Sequence, residues 1–452
     1  MTRLFGTDGI RGEAGKFPLD APTVETIGVS LVTHLTEQLG RPPVIVIGRD
    51  TRESGEWIEG SLRTGVTKAG GLSQSAGVIT TPGVAYLART LPADAGIVIS
   101  ASHNPYRDNG IKVFSPSGRK LDEATERRIE ADIASGGSEP KSIRQGSAIQ
   151  PFQEEVSVLR DRYLQYLQND VGRGLSLNGI RMVVDCANGA ASDIAPQLFE
   201  RLGASVTVIN AEPDGRNINL NSGSLHTDKL QNEVSQQKAD IGVAVDGDAD
   251  RSLFVDATGQ LANGDAALWV LANYMQPRKQ LANNVVVATV MSNIGLEIAL
   301  KSKGIALVRT DVGDKFVLDE LLRSGSSLGG EQSGHIIFPQ LSLAGDGLIT
   351  TLCVLRAMVD EDKSLAELTL GLQIFPQILV NVHVKQKRPF AEIQEITDAA
   401  KRIENELGTR GRLLLRYSGT EALARIMIEG EQQERIDTLA YELADVIKKY
   451  LG

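Results

Sequence analysis

Short runs made almost wholly of apolar residues recur along this chain, separated by stretches with helical spacing. They read PVIVIG, AGVIT, GIVIS, MVVD, SVTVI, IGVAV, VVVAT and IALV. A strand that is apolar on successive residues is buried on both faces, which requires helices on both sides of its sheet. Residues 22–39 show the partner pattern, with Val24, Ile27, Leu31 and Leu35 along one helical face. Residues 57–69, 122–135 and about 191–202 read as further helices. The alternation predicts α/β architecture, with mostly parallel sheets covered by helices.

At 452 residues the chain exceeds one ordinary core. Three α/β mixed-sheet domains are expected over residues 1–154, 155–255 and 256–370, with SGGSEP and the polar stretch after it leaving the first. From about 371 the pattern changes. QILVNVHVK reads as a strand, 389–406 as a helix, and GRLLLRYSGTEALARIMIEG as two strands around a polar loop. A last helix over 431–449 places Ile436, Leu439, Ala440, Leu443 and Val446 on one face. Residues 371–452 are therefore expected to form a smaller α+β domain.

The net charge of -10, without a basic tail or stripe, argues against a general nucleic-acid binder. It leaves room for small phosphate ligands, because a few local cations dominate a pocket. Cys186 and Cys353 lie in separate apolar contexts without metal-ligand spacing and read as core thiols. The opening MTRLFGTDG has no apolar signal core and no run reaches membrane-spanning length, so a cytoplasmic protein is expected.

Five segments are candidates for chemistry. GIVIS ends at Ala101-Ser102-His103-Asn104-Pro105, so Ser102 lies in the loop after a buried strand, where open α/β sheets place their sites. Ser102 suits a nucleophile or phosphate carrier, with His103 beside it and Lys112 ten residues on; a plain turn is the structural alternative. Asp246, Asp248 and Asp250 follow another strand as alternating carboxylates, which repel unless protonated, exposed or bound to a cation. Mg2+ favours such oxygens together with phosphate, whereas an EF-hand fails at Arg251 and Ala257. Arg416 through Arg425, with Ser418, Gly419 and Thr420 between, offers a cradle for a held phosphate. Gly329–His335 supplies acceptors and a titratable ring, and Thr7, Asp8 and Arg11 line a further polar turn. A carrier oxygen, a cation site and an anion clamp are the parts of phosphoryl transfer.

FGTDGIRG, ISASHNPYRDNGIK, DGDADR, GGEQSGH, GDG and RYSGTEALAR occur in this order. On these segments the whole chain resembles the α-D-phosphohexomutase superfamily. The resemblance implies four domains around a central cleft, Ser102 as phosphoserine, and Ser102, Asp246, Asp248 and Asp250 as Mg2+ ligands. It places Arg251 in support of the phosphoryl site. Glu331, Ser333 and His335 would face the sugar, and Arg416, Ser418, Gly419, Thr420 and Arg425 would hold the non-reacting phosphate. Arg11, His103 and Lys112 fall at the catalytic centre. Lys112 is the preferred proton-transfer group if crowding by positive charges depresses its pKa; His103 and a purely electrostatic Lys112 stay open.

GEQSGH, rather than GEMSGH, favours the branch acting on phosphorylated hexosamines. The implied reaction converts glucosamine 6-phosphate to glucosamine 1-phosphate through glucosamine 1,6-bisphosphate, feeding amino-sugar nucleotide and cell-wall precursor synthesis. A homodimer is compatible with the resemblance. Ala422 departs from it, standing where the cradle usually has proline, which loosens the loop without removing a ligand. The alternatives are action on mannose or glucose phosphates and, from another class, a non-catalytic phosphosugar sensor.

Overall fold

The computed structural model describes residues 3–6, 8–136, 154–418 and 421–452. Its internal contacts divide the chain into two units, Met1–Val287 with Gly313–Leu370, and Ala288–Val312 with Gly371–Gly452.

The first unit opens with a six-stranded sheet: β1 (Phe5–Gly6), β2 (Gly9–Glu13), β3 (Val44–Arg49), β4 (Leu72–Val78), β5 (Ala95–Ile99) and β6 (Asp108–Phe114), in the order β1-β2-β6-β5-β3-β4. Ile45, Ile47, Ile97 and Ile99 are fully buried against Ile27, Leu31, Ile58 and Leu62 of the covering helices. Those helices, Ala21–Leu39 and Gly55–Lys68, cross closely; a Cβ on Gly65 would stand 2.1 Å from the Glu25 carbonyl oxygen.

The sheet is mixed, as expected for this domain, and only its β4-β3-β5 part is parallel. β3 runs parallel to β4 and β5, but β5–β6, β6–β2 and β2–β1 are antiparallel. The polar turn between β5 and β6 is too short for the crossover that a parallel neighbour requires. β4 also begins at Leu72, ahead of the AGVIT run. As an edge strand it is only partly buried, so Ser73, Gln74 and Ser75 are tolerated and hide its start from an apolar reading.

A second sheet holds β7 (Arg181–Asp185), β8 (Ser205–Ile209), β9 (Ile241–Val245), β10 (Ser252–Asp256) and β11 (Leu261–Ala262), ordered β11-β10-β9-β7-β8. β7 is parallel to β8 and β9, while β10 turns back antiparallel. β12 (Val285–Thr289) runs from the first unit into the second, which also contains β13 (Ala306–Thr310). The short hairpin β14 (Gly329–Gly330) and β15 (Ile336–Ile337) carries residues 331–335 in its loop.

The second unit contains the antiparallel sheet β16 (Gln377–His383), β18 (Leu423–Glu429) and β17 (Arg412–Tyr417), with β18 in the middle. Its last helix, Gln433–Leu451, buries Ile436, Leu439, Ala440 and Leu443 as expected. Ile447 takes the next core position, leaving Val446 partly buried. The helix expected from 389 starts at Gln394, after a 3-10 turn over Phe390–Glu392.

Residues 137–153, which include most of the SGGSEP connection, lie outside the described residues. Cys186 is fully buried, and burial raises its thiol pKa; Cys353 is partly buried, and its pKa is pushed up to about 12. Among the described residues no helix is long and apolar enough to cross a membrane.

Candidate active site

Loops after β5 and β9 meet in the first unit. Ser102 follows β5, is fully buried, and has φ 51°, the left-handed region that residues with side chains adopt only when held there. Its Oγ donates to Asp246 Oδ2 at 2.5 Å. Its carbonyl accepts from Asn219 Nδ2 at 2.8 Å. The loops approach so closely that a Cβ on Gly247 would lie 2.7 Å from the Ser102 carbonyl oxygen. Glycine is required there for space.

Asp246, Asp248 and Asp250 each point one carboxylate oxygen into a cluster in which these atoms lie within 4.8 Å of one another. Burial, and then the Asp250 and Asp248 charges, push the Asp246 carboxyl well above its usual range. Asp248 Oδ2 accepts from Thr81 Oγ1 at 2.6 Å and Lys112 Nζ at 2.8 Å. Its other oxygen, also buried, has no hydrogen-bond partner among the described residues. Three buried carboxylates with two such oxygens, Asp248 Oδ1 and Asp250 Oδ1, suit a hard cation, whose charge offsets their repulsion. The cluster is compatible with a metal ion.

Lys112 projects from β6 and is 1% exposed. The positive crowding expected around it is a crowding of carboxylates instead. Nζ lies 2.8 Å from Asp248, 3.0 Å from Asp8 and 3.5 Å from Asp250. Burial pulls the lysine pKa down, but these three charges outweigh it and hold the pKa well above its ordinary value. Arg11 and Lys120 also pair with Asp8, and Lys120 Nζ reaches Asp314 Oδ2 at 2.6 Å.

The two histidines here are driven in opposite directions. His103 Nδ1 is 3.4 Å from Ser102 Oγ, and burial with the Arg251 and Arg11 charges lowers its pKa to about 4. His335 lies 3.6 Å from Asp250 and 3.8 Å from Asp314. Burial lowers its pKa, yet Asp250, Asp314 and Glu331 raise it to about 9. Arg251 is held charged despite burial by Asp250 and Asp246, and its backbone N–H donates to Asp246 Oδ1 at 3.2 Å. Glu331 accepts from the Gly313 N–H at 3.2 Å, and the buried Ser333 Oγ has no partner among the described residues.

The first unit thus assembles Arg11, Ser102, His103, Lys112, the three aspartates, Arg251 and His335. Thr81, Asn219 and Lys120 join them without having been singled out in the sequence; none sits in a segment whose residue types announce chemistry.

In the second unit Arg416 and Arg425 stand opposite each other on β17 and β18. Burial, and then the Arg425 charge, lower the Arg416 pKa. Ser418 Oγ accepts from the Glu421 N–H at 3.2 Å, and Arg425 pairs with Glu421 at 3.0 Å. Lys387 Nζ donates to the Ser418 carbonyl at 2.7 Å, adding a cation that the sequence reading missed. The Ala422 carbonyl accepts from the Val384 N–H at 3.0 Å, pinning the loop where proline was expected. Gly419 and Thr420, like Thr7, lie outside the described residues.

Family models for phosphoglucomutase/phosphomannomutase match along the chain: α/β/α domain I at residues 2–139, domain II at 161–259, domain III at 263–373 and the C-terminal domain at 379–446. A phosphoglucosamine mutase of Solibacter usitatus (strain Ellin6076) is 47% identical over 450 residues, covering 99% of each chain. One from Syntrophus aciditrophicus (strain SB) is 45% identical over 457 residues, covering 100% of each. A solved phosphoglucomutase/phosphomannomutase family protein from Burkholderia thailandensis shares the fold, with a TM-score of 0.79 at 24% identity, covering 100% of this chain and 98% of that one. The chain belongs to the phosphoglucomutase/phosphomannomutase family and, within it, to the phosphoglucosamine mutases.

Proposed function

We propose that this protein interconverts glucosamine 6-phosphate and glucosamine 1-phosphate, with Ser102 carrying the phosphoryl group. The observation that carries the reading is the buried Ser102 hydroxyl bonded to Asp246 at the edge of the carboxylate cluster. Full-length relatives named phosphoglucosamine mutase support the substrate.

In the forward direction phosphoserine donates to the sugar's O1. The P–O bond to Ser102 Oγ breaks as a P–O bond to O1 forms, and the proton that O1 gives up ends, by way of a neighbouring base, on Ser102 Oγ. The resulting glucosamine 1,6-bisphosphate turns around. Its O6–P bond then breaks as the bond to Ser102 Oγ re-forms, Ser102 Oγ giving up its proton and O6 taking one up.

Asp246, Asp248, Asp250 and an oxygen of Ser102 or its phosphate would hold Mg2+, which when bound neutralises charge on the transferring group. Lys112, protonated in its carboxylate nest, supplies fixed positive charge with Arg11 and Arg251. His103 keeps a neutral ring beside Ser102 and is the better proton acceptor of the two candidates, since a base must begin unprotonated. Glu331, Ser333 and His335 bind the sugar. Arg416, Ser418, Gly419, Thr420 and Arg425 bind the phosphate that is not transferred.

The proposed domain boundaries remain 1–154, 155–255, 256–370 and 371–452, and the proposed location is the cytoplasm. A homodimer is a separate proposal, tested by sedimentation.

Turnover of glucosamine, glucose and mannose 6-phosphates under identical conditions tests the substrate. Glucosamine 6-phosphate should give the highest kcat/KM; equal or better turnover of a neutral sugar phosphate overturns the assignment.

A further inference from the structure

Arg52 lies three residues past the end of β3 and is 1% exposed. Because β3 runs parallel to its neighbour β5, the segments beyond their carboxyl ends lie side by side. The Arg52 guanidinium therefore faces the loop that carries Ser102.

All five of its N–H donors find acceptors. Nε donates to Asp50 Oδ2 at 2.9 Å. One terminal nitrogen donates to the Pro105 carbonyl and, at 3.0 Å, to that of Asp108. The other donates to the carbonyls of Ser102 at 3.0 Å and Asn104 at 2.9 Å. Asp50, itself fully buried, accepts from Ser100 Oγ at 2.6 Å, and that oxygen accepts from the Ser102 N–H at 2.9 Å. One Asp50–Arg52 unit thus grips Ser102 at both its carbonyl and its N–H. The left-handed backbone at Ser102 persists only if its surroundings hold it.

We propose that Arg52 is a positioning residue for phosphoryl transfer. It fixes the loop over residues 102–108 so that the Ser102 oxygen stays aimed at the carboxylate cluster. The proposal rests on the reading of Ser102 as the phosphoryl carrier. A planar guanidinium suits the task because its donors are fixed in one fork; lysine offers three donors on a flexible stem.

The test compares wild type, R52K, D50N and S102A by steady-state kinetics with glucosamine 6-phosphate and by hydrogen exchange. In R52K, kcat should fall roughly 100-fold, the scale of a small misplacement of a reacting group, with KM within about threefold of wild type. Amides of residues 102–108 should exchange about tenfold faster while those of β3 and β5 are unchanged. A kcat within about threefold of wild type overturns the proposal. So does a loss of kcat accompanied by faster exchange throughout β3 and β5, the mark of a merely structural arginine. If R52K does not fold, D50N carries the same test, because it weakens the Arg52 anchor while keeping an oxygen acceptor. S102A separates the two readings. Turnover retained in S102A refutes the carrier role itself, whereas an inactive S102A beside a wild-type-like R52K refutes only the role of Arg52.

Discussion

Ser102 and Asp246, 144 residues apart in sequence, share a 2.5 Å hydrogen bond at the meeting of two loops. One loop ends β5 and the other ends β9, so the serine and the aspartate cluster become neighbours only through the packing of two sheets. The bond joins the proposed carrier to the proposed cation site.

Divalent-cation binding should depend on that cluster. Asp248 has one oxygen held by Thr81 and Lys112 and one without a hydrogen-bond partner among the described residues, so D248N removes a charge aimed at the ion. Mn2+ titration followed by electron paramagnetic resonance should show affinity weakened by about tenfold or more in D246N, D248N and D250N. Mg2+ should raise the thermal midpoint of wild type but not of these variants. Unchanged Mn2+ affinity in all three would remove the cation site.

Lys112 should act through charge. It is buried among Asp8, Asp248 and Asp250, and K112M would remove a cation from all three, leaving the fully buried Asp248 most affected. Destabilisation of about 3–5 kcal/mol is expected in denaturant unfolding, because an uncompensated buried charge is costly. K112R should recover part of that stability. The wild-type pH–rate profile should contain no limb between roughly pH 6 and 9 that K112R abolishes. Such a limb would restore Lys112 as the general base.

The histidines should titrate far from each other. His103 is lowered to about 4 by burial and the Arg251 and Arg11 charges, while His335 is raised to about 9 by surrounding carboxylates despite burial. Nitrogen-15 spectra of histidine-labelled, metal-free protein should show the first ring neutral and the second charged at pH 7. H103N should lower kcat by roughly 100-fold if the ring accepts a proton. Ordinary midpoints for both histidines would contradict the electrostatics of the site.

Asp346 gives a pH dependence of stability with a defined sign. Burial raises its pKa from 3.8 to about 6, against partial relief from Tyr163 and the Ile349 and Leu348 N–H groups. Between those values the folded state holds a proton that the unfolded state has lost, so stability falls as pH rises. The full cost, on the order of 3 kcal/mol, is present above about pH 6. Asparagine keeps the oxygen that caps the helix Gly347–Glu361 and does not titrate. The stability of wild type minus that of D346N should therefore decline from about pH 4 to 6 and then level off. A constant difference would contradict the burial of a charged Asp346.

The sequence reveals what is local and periodic. β3, β5 and β9 are legible because buried strands leave apolar runs, and Ser102 and the three aspartates because they follow such runs directly. β4 is less legible, since its half-exposed edge admits Ser73, Gln74 and Ser75. The sequence also misleads about Lys112: its neighbours in the chain say nothing of Asp8, from the turn between β1 and β2, or of Asp248 and Asp250, from the loop after β9. Arg52 is silent for the same reason. Its acceptors are mostly backbone carbonyls, which carry no residue-type signature.

Phosphoryl transfer through Ser102 is tested most directly by a chase. Protein labelled with radioactive phosphate on Ser102 is mixed with unlabelled glucosamine 6-phosphate. Label should pass into glucosamine 1,6-bisphosphate and the hexosamine monophosphates as fast as the enzyme turns over, and S102A should accept no label. Label that stays on the protein, or leaves only as inorganic phosphate in proportion to substrate consumed, would contradict a mutase acting through this serine.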